Sequence, residues 1–275
     1  MKDISIGFIG CGNMARSLIG GLIADGHPAA RISAADPDAA QRERIQRFDI
    51  ELLGDNNEVI RGADVIVLAV KPQVLPAVVR AAAPSLTQRK PLLISIAAGI
   101  RLATLRRCVG EDLPAVRVMP NTPSLIQAGA SALFAGPDVT QEQRDLAEGI
   151  MRSVGLALWL DDEAQMDAVT AVSGSGPAYF FLVMEAIAGA GVKLGLAEDT
   201  ARLLTLETAL GAAKMAMESE SDPASLRQQV TSPGGTTEQA LKVLMEEGRI
   251  EELFARALAA AKRRSEELAA ELGEQ

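Results

Sequence analysis

The sequence predicts an α/β chain in which a doubly wound, largely parallel sheet is followed by an all-helical half. Three observations carry that expectation. Short apolar strands alternate with helical stretches through the first 160 or so residues, a glycine-bearing turn joins the first strand to the first helix, and after Asp161 only helical spacing remains. Runs that are apolar throughout, such as Val65-Ile66-Val67-Leu68-Ala69, belong in a sheet covered on both faces. At 275 residues the chain exceeds the usual size of one core, so two domains are expected, residues 1–160 and 161–275.

Ile4-Ser5-Ile6-Gly7-Phe8-Ile9 reads as a strand ending at Gly10, and residues 13–25 carry helical spacing through Met14, Leu18 and Leu22. Between them, Gly10-Cys11-Gly12-Asn13-Met14-Ala15 has the G-x-G-x-x-A pattern of a dinucleotide cradle. Gly10 permits the turn and Gly12 lets a pyrophosphate approach the backbone. Ala15 lets the helix pack close to the strand while its N-terminus faces the phosphates. The domain is therefore read as Rossmann-type. Further strands are expected at 32–35, 50–53, 65–69, 92–96, 116–119, 131–134 and 156–160, with helices at 39–48, 57–61, 72–82, 102–108 and 141–153.

Asp36 ends the second strand, where an acidic residue accepts hydrogen bonds from an adenosine ribose. Its rival role is to cap the helix that begins near Asp38. Ala69-Val70-Lys71-Pro72 follows the fourth strand, at the carboxyl edge where open α/β sheets bind ligands. There Lys71 either meets cofactor phosphate and ribose oxygens or is a surface lysine, and Pro72 suits a first helical position. Ala97-Ala98-Gly99 sets small side chains on the same edge, and Met119-Pro120-Asn121-Thr122-Pro123 is a rigid turn whose Asn121 is structural or touches a ligand.

The second half reads as helices at 163–171, 178–194, 199–218, 224–230, 236–247 and 250–272, ending in a frayed tail at 271–275. Alanine and glycine recur in them, which suits an interface of closely approaching helices or an ordinary single-chain bundle. Val172-Ser173-Gly174-Ser175-Gly176-Pro177 is a helix entry with Ser173 or Ser175 as caps, and it lacks the G-x-S-x-G elbow of a serine hydrolase. Ser232-Pro233-Gly234-Gly235-Thr236-Thr237 opens a helix with converging N–H groups and hydroxyls. That is an anion cradle, or a capped helix after a flexible turn. Glu163 opens the first helix of this half, as a helix-terminal charge or as the partner of a cationic group.

A net charge of −9 argues against a nucleic-acid partner. Cys11 and Cys108 offer no disulfide framework, which favours a reducing cytoplasm. The first strand begins at once, without an export signal. The apolar run 178–192 is interrupted by Glu185 and falls short of the ~20 residues of a bilayer span. The single histidine, His27 in Gly26-His27-Pro28, reads as a solvated turn residue, and no ligand spacing supports a metal site.

At five motifs, in order, the chain resembles the pyrroline-5-carboxylate reductases: residues 8–15, Ala69-Val70-Lys71-Pro72-Gln73, Arg117-Val118-Met119-Pro120-Asn121-Thr122-Pro123, residues 170–179, and Val230-Thr231-Ser232-Pro233-Gly234-Gly235-Thr236-Thr237. The resemblance covers nearly the whole chain. It implies the reduction of 1-pyrroline-5-carboxylate to proline by NADPH or NADH, in the cytoplasm, by a homodimer or larger assembly with interlocking helical domains. It implies cofactor contacts at Ile9, Gly10, Cys11, Gly12, Asn13, Met14, Ala15, Asp36, Asn56, Ala69, Val70, Lys71, Pro72, Ala97 and Ala98. It places the substrate at Glu163, Ser232, Gly235, Thr236 and Thr237, with Thr237 and Lys71 as the catalytic pair. Many relatives carry serines after the second strand for the NADPH 2′-phosphate, whereas this chain has Ala34-Ala35-Asp36-Pro37-Asp38, which by itself favours NADH. A β-hydroxyacid dehydrogenase would need G-x-x-x-K-x-x-x-N, and here Gly189 and Lys193 are followed by Ala197. A nucleotide-sensing binding protein would share the first loop but leave the second unexplained.

Overall fold

In the computed structural model, which describes residues 3–110 and 113–273, eight strands form one sheet. They are β1 (Ile6–Ile9), β2 (Ile32–Ala35), β3 (Glu51–Leu53), β4 (Val65–Leu68), β5 (Leu92–Ser95), β6 (Ala115–Met119), β7 (Gly129–Ala135) and β8 (Gly155–Trp159). Their order is β3-β2-β1-β4-β5-β6-β7-β8. The first six are parallel, β7 runs antiparallel to β6, and β8 is parallel to β7. Chain order reverses between β1 and β4, which opens a crevice at the carboxyl ends of those strands.

The period of two along each strand builds two cores. Ile6, Phe8, Val65, Val67, Leu92 and Ile94 face one way, against Leu18, Ile19 and Leu22 of α1 (Asn13–Ala24). Ile9, Ile66, Leu68 and Leu93 face the other way and pack with residues of α3 (Asn56–Gly62), α4 (Leu75–Arg89) and α5 (Leu102–Val109). On the way the chain forms α2 (Ala39–Ile45), and after β7 it forms α6 (Gln141–Arg152), which Thr140 and Gln143 close with a reciprocal capping box.

Several local expectations change. Pro72 does not start a helix, because it lies in a turn closed by bonds from Val74 N–H to Lys71 O (3.1 Å) and Leu75 N–H to Pro72 O (3.3 Å). Pro76 takes the first-turn position instead, and α4 runs on through Pro84 to Arg89. The helix expected from residue 163 begins as α7 (Gln165–Val169) and passes into a π turn, Thr170–Gly174. Ser173 lies inside that turn and caps nothing.

The chain divides into two compact units, Met1–Ser175 with Ala260–Gln275, and Gly176–Ala259. This boundary falls later than residue 160, because α7 and the π turn belong with the sheet. The second unit holds α8 (Gly176–Lys193), α9 (Glu198–Glu218), α10 (Pro223–Gln229), α11 (Thr236–Leu244) and the start of α12 (Arg249–Gly273). Helices α8 and α9 form a hairpin turned at Gly195 (φ +100°), and a Cβ on Gly191 would stand 3.2 Å from the Ala201 Cβ, so glycine sets their spacing. Phe180, Phe181, Leu182, Leu203 and Leu210 of this hairpin are all more than half exposed within one chain. The helical path 165–193 is long and apolar enough to cross a bilayer by length and composition.

The end of α12 returns to the first unit. Leu272 is buried there, Ala269 and Leu272 lie beside Gly99, and the Gly273 carbonyl accepts from Arg107. The tail expected from residue 271 is thus packed through Gly273, while residues 274 and 275 lie outside the described residues.

Candidate active site

The first glycine loop sits at the crevice between β1 and β4. Gly10 N–H donates to Ala35 O and Ala69 N–H to Ile9 O, both at 2.8 Å, which ties the end of β1 to both neighbours. Gly10 has φ +99° and a Cβ there would stand 2.7 Å from Ala69 O, so only glycine fits. Gly12 differs: it precedes α1 without a side-chain cap, and beyond its two chain neighbours no atom of the described residues lies within 4 Å of where its Cβ would be. The uncapped helix start therefore faces open space, which suits a pyrophosphate. Ala15 is fully buried, as close packing of α1 on the sheet requires. Asn13 is exposed and Met14 half-buried at the same helix start.

Cys11 points into the core, and burial, reinforced by the Asp36 charge, pushes its thiol up to about 12. Its backbone N–H donates to Asp36 Oδ2 at 2.8 Å, while Asp38 N–H donates to Asp36 Oδ1 at 2.9 Å. Asp36 is thereby fixed at the end of β2, against the glycine loop. Capping of α2 falls to Asp38, which accepts from Ala40 N–H. Asn56 is the first residue of α3, behind its cap Asp55.

Ala69 and Val70 are half-buried after β4, and the Lys71 ammonium is exposed without a carboxylate partner among the described residues. Ala97 is 4% exposed and belongs to the core that includes Leu272, so it offers the edge only backbone, whereas Ala98 is half-exposed. Asn121 is spent on structure: its Nδ2 donates to the Ser173 carbonyl (3.2 Å) and Oγ (3.3 Å), and its Oδ1 accepts from Ala130 N–H (2.9 Å).

In the helical unit, Gly234 (φ +71°) and Gly235 lead into α11, and Gly235 provides no side-chain cap. Gly235 N–H donates to Ser232 O, and Gly234 N–H to Glu238 Oε2, each at 3.0 Å. Glu238 thus reaches back past Gly235 to the amide before it, and α11 starts without a side-chain cap. Thr236 and Thr237 are exposed.

Glu163 is not the opening charge of its own helix. It lies in the turn before α7, and its Oε1 accepts from Leu102 N–H (2.9 Å), the first amide of α5, and from Arg117 Nη1 (3.2 Å). Arg117 is a buried guanidinium in the middle of β6, and burial lowers its pKa against the opposing pull of Glu163 and Asp167. Beside it, Arg101 pairs with Asp167 Oδ2 at 3.0 Å, and the Ser265 hydroxyl donates to Asp167 Oδ1 at 2.7 Å. Sequence reasoning missed this group. Its signal was an arginine in the otherwise apolar run Ala115-Val116-Arg117-Val118-Met119, since a charge in mid-strand demands a partner. His27 also departs from expectation: it is 3% exposed, and burial lowers its pKa.

Two family profiles match. Residues 5–99 match the coenzyme F420-dependent NADP oxidoreductases, and residues 163–268 match the pyrroline-5-carboxylate reductase dimerisation domain. The pyrroline-5-carboxylate reductase of Pseudomonas aeruginosa is 56% identical over 275 residues, covering 100% of both chains. The chain belongs to the pyrroline-5-carboxylate reductase family. The solved reductase of Coxiella burnetii is 47% identical with a TM-score of 0.92, over 96% of this chain and 98% of that one. The Plasmodium falciparum pyrroline carboxylate reductase, solved with NADP bound, is 30% identical with a TM-score of 0.85, over 98% and 99%. Pyrroline-5-carboxylate reductases are oxidoreductases that use NAD(P)H, and the uncapped start of α1 before an open space fits such a cofactor. The match to a dimerisation domain supports a homo-oligomer, and within one chain α8 and α9 carry exposed apolar side chains.

Proposed function

We propose that the chain, a reductase of 1-pyrroline-5-carboxylate in proline biosynthesis, works by positioning rather than by a strong acid. NAD(P)H, when bound, supplies the hydride. The hydride adds to the imine carbon, the C=N π pair moves to nitrogen, and a ring nitrogen that enters protonated needs no further proton from the enzyme. The nearly histidine-free sequence is thus no handicap. The glycine loop at 10–15, with Asp36, Asn56, Ala69 to Pro72, Ala97 and Ala98, holds the cofactor, Ala97 through its backbone alone. The hydroxyls of Ser232, Thr236 and Thr237, with the Thr236 and Thr237 amides that the turn at Gly235 opens, hold the substrate carboxylate; the Thr237 hydroxyl donates toward the ring nitrogen as its lone pair forms, and Glu163 faces the charge of its N–H. We place the enzyme in the cytoplasm, where its two buried free thiols stay reduced.

The observation that carries this reading is the pair of uncapped helix starts, at Gly12 and Gly235, each leaving free amides for an anion. The test is steady-state oxidation of NAD(P)H with pyrroline-5-carboxylate. A hydroxyl bond to a charged group is worth about 1.5–3 kcal/mol, so Thr237→Ala should cost roughly ten- to a hundredfold in kcat/KM. Thr237→Val should cost at least as much, and Lys71→Ala should raise the cofactor KM more than the imine KM. Wild-type constants in these variants would remove both residues from the site.

A further inference from the structure

We propose that Arg117 is a positioning residue for the reduction: from inside the sheet it fixes Glu163 by one carboxylate oxygen, leaving the other to receive the protonated ring nitrogen of the imine. The inference rests on the reading above, in which Glu163 faces the substrate. Both donors that hold Glu163, Arg117 Nη1 at 3.2 Å and Leu102 N–H at 2.9 Å, converge on Oε1. Oε2 accepts nothing among the described residues. A carboxylate bound twice at one oxygen can rotate little, so its second oxygen points in a set direction.

Exposure divides the labour. The Arg117 side chain is 2% exposed and is closed off from a ligand, whereas that of Glu163 is 21% exposed and within reach of one. Arg117 therefore acts through Glu163. A second ion pair, Arg101 with Asp167, stands beside the first, and Ser265 holds the other Asp167 oxygen. Two cations and two anions thus balance, and Arg117 is kept charged although β6 is otherwise apolar. Burying such a group gives little net stability compared with an apolar side chain of the same volume. Orienting a carboxylate is a function that the apolar residue lacks. A protonated cyclic imine has a single N–H, which a single free oxygen matches.

The test is a double-mutant cycle on the full enzyme, with kcat and KM measured for pyrroline-5-carboxylate and for NADPH. Arg117→Lys keeps the charge but loses the planar fork, and should raise the imine KM about tenfold with the NADPH KM unchanged. Glu163→Gln should raise the imine KM at least as much. In the Glu163→Gln background, Arg117→Lys should add less than twofold. The proposal falls if Arg117→Lys leaves the imine KM unaltered, if its full effect persists on top of Glu163→Gln, or if both KM values rise together. Should Arg117→Lys not fold, Glu163→Asp withdraws the carboxylate from both donors without touching β6. The same imine-specific rise is then expected, and an unchanged imine KM overturns the proposal. A wild-type protein that reduces the imine, with Glu163→Gln indistinguishable from it, would refute this inference while the function stands. A wild-type protein that oxidises no NAD(P)H with the imine would refute the function itself.

Discussion

His27 gives the molecule a pH signature. Burial lowers its pKa in the folded chain, with the Arg31 charge acting in the same direction. Unfolded, it titrates near its ordinary value of about 6.5. As pH falls below that value the unfolded chain takes up a proton that the folded chain refuses. The stability present above about 6.5 is therefore lost on acidification, down to the folded pKa. The melting temperature should fall between pH 7 and pH 5 more steeply in the wild type than in His27→Leu; equal slopes would show that other groups set the acid limb. Asp36 makes a second expectation at this scale. Asp36→Ser removes a carboxylate from the end of β2 and should shift the kcat/KM ratio toward NADPH, because the repulsion of a 2′-phosphate goes with it. It also removes the acceptor for Cys11 N–H, so stability should drop by about 1 kcal/mol. An unchanged cofactor ratio would detach Asp36 from the ribose.

The two glycines of the first loop do different work for the strand and helix they join. Gly10 has a positive φ and a carbonyl 2.7 Å from where its Cβ would be, so Gly10→Ala should lose about 1–3 kcal/mol of stability. Gly12 has an extended backbone and nothing near, so Gly12→Ala should fold within about 0.5 kcal/mol of wild type and yet bind NAD(P)H more weakly. Denaturant melts and cofactor titration of both variants separate the effects; equal stability losses would refute the distinction. The loop was legible in the sequence because its logic is local, a strand, two glycines and a helix within a dozen residues. The α4 start was misread because Pro72 and Pro76 both satisfy the local rule, and only the turn hydrogen bonds decide between them. The Arg117 group was illegible for a different reason: its members lie 46 to 98 positions apart, and a charge read alone looks like surface.

For the whole molecule, the helical half was legible as helices but not as a surface. Nothing in the period of α8 separates a face buried in its own chain from one left exposed on it, and Phe180, Phe181 and Leu182 prove exposed only once the fold is known. If each site draws its cofactor loop from one chain and its Ser232–Thr237 loop from another, two impaired variants should rescue each other. Gly12→Asp mixed and reassembled with Thr237→Ala should regain part of the wild-type rate. Mixed dimers that form without regaining activity would place each site within one chain.

The return of α12 to the first unit ties the order of synthesis to the order of folding. A ribosome releases the chain from its N-terminus, and a nucleotide-binding unit made of contiguous residues folds while the rest is still being built. Here the hydroxyl that satisfies Asp167 and the leucine that completes one of the sheet's two cores are residues 265 and 272 of 275. The sheet unit reaches its final packing only after the helical unit between its two segments has been made. A nascent chain stalled in its last turns of helix would carry all the cofactor-binding residues and still lack part of the core behind them.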